Sequence, residues 1–149
     1  MIKKTLLTIV IVILIIQFIR PERNSTLLNS TNSLELNYQT PKNVSGLLRI
    51  SCYDCHSNNT IYPWYSNIQP FAWWQQQHVN DGKKELNFDE FNSYTSKKKK
   101  HKLDEVIEVI QDDEMPLASY TLVHRNAVLS EENKVALVTW AKQLQNTIK

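Results

Sequence analysis

The sequence predicts an all-α domain, on three observations. Gly occurs only twice in 149 residues, at Gly46 and Gly82, which argues against a sheet rich in tight hairpins. Several stretches space their apolar residues at i, i+3 and i+4, the period of one helix face. Long aromatic and polar stretches, punctuated by proline, separate them. Four Trp, six Tyr and four Phe can fill a modest core, and a net charge of +2 gives no reason to expect a nucleic-acid partner.

The elements follow in chain order. Lys3 and Lys4 precede an almost wholly apolar run from Thr5 to Ile19, which Arg20-Pro21-Glu22-Arg23 ends. This is the pattern of an export signal. No small-x-small cleavage site closes it, so an uncleaved signal anchor over 1–21 is preferred to a cleaved signal peptide. The run reaches only about 22 Å as a helix, short of a roughly 30 Å hydrocarbon core unless Ile2 and snorkelling lysines extend it. Residues 22–40 are rich in Ser, Thr and Asn and read as a polar, flexible tether. The compact domain is expected over 41–149. Its first helix carries Val44, Leu47 and Leu48 on one face and leads into Cys52.

Cys52-Tyr53-Asp54-Cys55-His56 contains both cysteines of the chain. C-x-x-C-H is the attachment signature of a c-type haem. Two thiols three positions apart can each form a thioether with one vinyl group of the same porphyrin. The adjoining His56 can then offer an imidazole nitrogen to the iron. Its other ring N–H needs an acceptor, for which a backbone carbonyl of the following loop is expected. A zinc site is the first alternative, but it lacks ligands: His78, His101 and His124 lie about 23 residues apart and form no close pair. A thiol redox pair is the second, and the strand–helix alternation that would accompany it is absent.

After His56 the chain is dense in aromatics and proline. Tyr62, Trp64 and Tyr65 are expected to wall the haem pocket, or else to serve as ordinary core aromatics with satisfied polar tips. Pro70 suits a helix start. Phe71, Trp74 and His78 then share a face, with Asp81-Gly82 as the expected stop. Lys97-Lys98-Lys99-Lys100-His101-Lys102 reads as a basic loop just before a helix over Leu103–Ile110. It is a candidate docking patch for an acidic redox partner, or a contact for anionic lipid.

Met115, followed by Pro116, is the only methionine besides Met1, and it lies 59 residues beyond His56. A thioether is a soft ligand, and Met/His ligation raises a haem's potential. Met115 is therefore the expected second iron ligand, with His78 and His124 as runners-up and a gap-filling core role as the alternative. Ser130 is expected to cap a last helix, with Glu131 and Glu132 in its first turn and Leu137, Trp140, Ala141 and Leu144 inside.

In outline the chain resembles class I c-type cytochromes: helix, C-x-x-C-H, connecting helices, Met-Pro loop, terminal helix. More closely, it resembles the small haem-binding domain family of Bacteroidetes-type bacteria. The matching stretches are CYDCHSNNTIYPWYSNIQP, W-x-x-x-H-V at Trp74–Val79, LNF at 86–88, MP at 115–116 and H-x-x-A-x-L at His124–Leu129. The resemblance implies a cytochrome c-like helical domain around one covalent haem c, in the periplasm; the expected N-terminal anchor would tether it to the bacterial inner membrane. Its recurrent His78 and His124 keep bis-histidine ligation open. The expected role is one-electron transfer. The alternative is a haem-based ligand sensor or a peroxidase-like enzyme with an open or labile sixth position.

Overall fold

The computed structural model describes every residue except 27 and 29, which lie inside the expected tether. Among the described residues there are eight α-helices and no strand. They are α1 (Ile2–Ile16), α2 (Leu34–Asn37), α3 (Lys42–Ser51), α4 (Tyr53–His56), α5 (Phe71–Glu85), α6 (Ser96–Gln111), α7 (Ala118–Val123) and α8 (Glu131–Thr147). Three 3₁₀ turns, Trp64–Asn67, Phe88–Ser93 and Arg125–Ala127, join them.

The core lies where α3, α6, α8 and the Phe88–Ser93 turn meet. Leu48, Phe88, Phe91, Leu103, Leu137 and Leu144 are buried there. Each such side chain contributes about 1.5–3 kcal/mol by leaving water. The faces are those that the periodicity gives. Val44 and Leu48 point inward from α3, while Leu137, Trp140, Ala141 and Leu144 do so from α8. Ser130 accepts a hydrogen bond from the Asn133 N–H and so caps α8. α8 packs chiefly on α6 and also on α3, closing the two ends of the domain on each other.

Three boundaries differ from expectation. First, the residues expected to form a tether supply part of the core. Leu34 is fully buried, and Ser33 caps α2 by accepting from the Leu36 N–H. Second, α5 does not stop at Asp81-Gly82 but runs to Glu85. Glycine's low helix propensity loses there to a packing requirement described below. Third, the lysine run is not a loop. It forms the first turns of α6, which Thr95 caps through the Lys98 N–H.

Helical phase divides those lysines. Lys99 and Lys102 point inward and are 8% exposed, while Lys97, Lys98 and Lys100 face solvent. The Lys99 ammonium donates to Asn92 Oδ1 at 2.9 Å and lies over the Tyr38 ring. The Lys102 ammonium pairs with Glu85 and Glu105 at 3.3 and 2.7 Å. Of the run Lys97–Lys102 expected to form a docking patch, Lys99 and Lys102 therefore do not lie at the surface.

None of the α1 side chains is buried. Among the described residues, no helix is long and apolar enough to cross a membrane.

Candidate haem site

The two cysteines lie at the joint between α3 and α4. Cys52 ends α3 and caps α4, and Cys55 and His56 occupy the single turn that follows. Such a short helix has little stability of its own, so its neighbours hold it. The Ser51 hydroxyl donates to the Ala127 carbonyl at 3.0 Å, in the interior. Asp54 acts as a hub. Its carboxylate accepts from the Ile61 N–H at 3.0 Å and the Tyr120 hydroxyl at 2.8 Å, and its carbonyl accepts from the Thr60 hydroxyl at 2.6 Å.

Gly82 is the second support. A Cβ placed there would lie 2.8 Å from the Cys55 carbonyl oxygen and 3.0 Å from the Cys55 Cβ. The absence of a side chain is what allows α5 to lie directly against the cysteine turn. That contact is the reason for a glycine inside a continuous helix.

His56 is held in one orientation. Its Nδ1–H donates to the Leu86 carbonyl at 3.0 Å, leaving Nε2 with a free lone pair. The acceptor comes from the chain just after α5, not from the loop that follows His56. Burial pushes the imidazole's pKa below its ordinary value, which favours the neutral, ligating form. Phe88 meets the His56 ring edge-on at 6.3 Å between centroids and stacks on Tyr53 at 5.3 Å.

The carbonyl that holds His56 is itself fixed. Asn87 donates through its side chain to Asn58 Oδ1 at 2.8 Å, and through its backbone N–H to the Tyr94 hydroxyl at 3.1 Å. Asn58 donates to Asp89 and Glu90 at 2.8 and 3.1 Å. A polar clamp thus ties the segment after His56 to the segment that carries Leu86.

Met115 comes to the same place from the far end of α6. That helix ends in a Schellman turn: the Glu114 N–H donates to the Val109 carbonyl at 2.9 Å, and Asp113 takes a φ of +60°. The Asp113 carboxylate meets the Lys134 ammonium at 2.5 Å, securing the turn to α8.

Two adjoining clefts, of about 450 and about 190 Å³, share Ser51, Cys52, His56, Glu85 and Met115. The larger is walled by Leu48, Leu86, Phe88, Val106, Val109 and Ile110. The smaller adds Cys55, His78, Leu117 and Tyr120. Sites of this order of size, apolar with a few placed polar groups, are typical for cofactors. Both thiols, a fixed imidazole and a thioether line one apolar space. That donor set fits a haem.

The other predicted residues fall in different places. His78 borders the smaller cleft, with its Nδ1–H donating to the Trp74 carbonyl at 2.8 Å. His124 lines neither cleft. It borders a narrow cavity beside Tyr65, stacks on Tyr120 at 4.1 Å, and meets the Tyr65 hydroxyl through Nε2 at 3.1 Å. Tyr65 faces that same cavity rather than the clefts. Neither Tyr62 nor Trp64 borders any of the three spaces. The Tyr62 hydroxyl is used structurally, donating to Gln76 and accepting from the Asn24 N–H. Trp64 is 75% exposed. Phe88 and the aliphatic residues of α6 wall the larger cleft, while Tyr65 lines the narrow cavity that Cys55 and His78 also border. Leu86, Phe88 and Gly82 carry no chemistry that would mark them in a sequence. Only the LNF resemblance at 86–88 touches two of them.

Comparison with known proteins places this architecture in a family. The Haem-binding domain family matches residues 11–143. The chain belongs to that family, and haem is the group it binds. No curated protein and no solved structure matches it.

Proposed function

We propose that the chain is a monohaem cytochrome that carries one electron at a time, with the haem bound covalently through Cys52 and Cys55. The observation that carries this reading is that His56, whose Nδ1–H is held by the Leu86 carbonyl, shares an apolar cleft with Met115. Bound there, haem iron would supply a one-electron couple between its ferric and ferrous states. The residues do the rest. His56 would hold the iron through Nε2, kept in one tautomer by the Leu86 carbonyl. Met115, carried to the cleft by the Schellman turn, would hold it through its thioether. Leu86, Phe88, Val106 and Ile110 exclude water. With His56 and Met115 both engaged, the site would offer a substrate no place at the iron, which suits a carrier better than an enzyme.

His78 is the alternative second ligand, because it borders the smaller cleft and its Nε2 is not engaged by the Trp74 carbonyl. If neither group holds the sixth position, the alternative reading applies: a ligand sensor or a peroxidase-like enzyme. In the proposed setting, α1 serves export and membrane attachment, with the haem domain on the periplasmic side of a bacterial inner membrane. Lys97, Lys98 and Lys100 are then the cations available to steer an acidic redox partner.

The test is direct. After expression with a cytochrome c maturation system, a denaturing gel stained for haem should show a band that Cys52→Ser plus Cys55→Ser abolishes. An unstained parent chain rules out covalent attachment. Spectra with and without carbon monoxide test the role. A low-spin form with a methionine-to-iron charge-transfer band, indifferent to the gas, supports the carrier. High-spin iron or ready binding of carbon monoxide supports the sensor or enzyme.

A further inference from the structure

The chain leaves α1 without a hinge. Gln17 and Gln69 grip each other twice: Gln17 Nε2 donates to the Gln69 carbonyl at 3.2 Å, and the Gln69 N–H donates to Gln17 Oε1 at 2.9 Å. The Ile19 carbonyl accepts from Gln69 Nε2 at 3.0 Å and from the Trp73 indole at 2.9 Å. Arg20 and Arg23 both donate to Asn67 Oδ1. Asn24 is then buried, held by the Ser57 carbonyl, the Thr60 hydroxyl and the Lys83 ammonium. The residues after α1 are therefore strapped to the segment that follows His56.

Around this junction sits a set of large apolar side chains open to solvent. Phe18 is 88% exposed, Trp64 75% and Ile68 41%. The hydrogen bonds define their neighbourhood. Phe18 lies between Gln17 and Ile19, and Ile68 adjoins the Gln69 that grips them. Asn67 is bonded to the Trp64 carbonyl as well as to both arginines. Clusters of this kind on a soluble surface mark an interaction site.

Length and charge identify what covers it. α1 has 15 residues and reaches about 22 Å, some 8 Å less than a hydrocarbon core of roughly 30 Å. A helix that short draws whatever is rigidly attached to it down to the headgroup level. What is attached here is aromatic and aliphatic, with Arg20 and Arg23 beside it and Glu22 as the one acid between residues 17 and 26. Aromatic side chains with flanking cations suit the membrane–water interface.

We propose that Phe18, Trp64 and Ile68 form a collar that rests in the phospholipid interface, holding the haem domain in one orientation on the bilayer. The inference rests on the reading of α1 as a membrane anchor and replaces a swinging tether with a fixed seat.

The test uses the full chain with haem attached, reconstituted into phosphatidylethanolamine–phosphatidylglycerol vesicles. Flotation reports attachment. Linear dichroism of the Soret band, in vesicles aligned by shear flow, reports whether the domain keeps one orientation. The parent should float and show dichroism. Phe18→Ser plus Trp64→Ser, two changes outside the core, should still float while the dichroism falls at least twofold. A parent that floats without dichroism overturns the proposal, as does a double variant that keeps the full signal. A haem-stained parent that fails to float removes the anchor and the collar together, and leaves the haem reading standing.

Discussion

Gly82 lies so close to Cys55 that a Cβ on the glycine would come within 2.8 Å of the Cys55 carbonyl oxygen. The contact sets the separation of α5 from the cysteine turn. Elsewhere in a helix, Gly→Ala would gain about 0.5–1 kcal/mol. Here the atom met is backbone, held in turn by Asp54 and its partners. Gly82→Ala should therefore destabilise the fold by about 1–3 kcal/mol, the usual range for overpacking. Urea melts of the haem-free chain check the sign, and haem staining should show a lower yield of attached haem.

Asp113 occupies a left-handed conformation, at φ +60°. Asp tolerates it better than a branched residue does. Asp113→Val should cost about 1–2 kcal/mol or more. Asp113→Gly relieves the backbone but loses the contact with Lys134, so it should stay within about 1 kcal/mol of the parent. Thermal melts of the pair separate backbone strain from charge. If valine is as stable as glycine, the turn does not depend on residue 113.

Met115→His replaces a thioether with an imidazole in the same cleft. If Met115 is the second ligand, the variant should remain low-spin, lose the methionine-to-iron charge-transfer band and show a lower midpoint potential. Redox titration followed by absorbance measures it. An unchanged band and potential would assign the second position elsewhere, with His78→Ala as the next variant.

The thiols give a pH dependence to the haem-free chain. Burial, with the neighbouring Cys55 as a smaller cause, pushes the Cys52 thiol up to about 12 from an ordinary 9.0. Burial and the Asp54 carboxylate push Cys55 up to about 11. The folded state thus holds protons that the unfolded state releases first. Stability is fully present below about pH 9 and is lost as pH rises through about 11 to 12. Urea midpoints at pH 8 and pH 10.5 should fall more steeply for the parent than for Cys52→Ser plus Cys55→Ser. Once the sulfurs are thioethers that part of the slope disappears.

What could be read in the sequence was local. The helix faces of α3 and α8 follow from the spacing of Val44, Leu48, Leu137, Trp140 and Leu144, because a period of 3.6 is written in consecutive residues. The C-x-x-C-H signature and the lone Met-Pro named a haem and a second ligand through chemistry alone. Misreadings arose where a residue's environment came from distant chain. Gly82 read as a stop because its contact with Cys55 is 27 positions away. Lys99 and Lys102 read as a solvated loop because their partners lie on other turns and segments.

The sequence by itself therefore determined the helical class, named the cofactor and singled out the candidate groups for bonding it. Only the tertiary structure decided which groups share a space. It assigned the Leu86 carbonyl to His56, brought Met115 into the same cleft, and moved Tyr62 and Trp64 outside. It also strapped the residues after α1 to Asn67 and Gln69. The physical reason is common to all of these. Ligand chemistry belongs to individual side chains, whereas orientation and proximity come from close packing between segments dozens of residues apart, which no short-range pattern records.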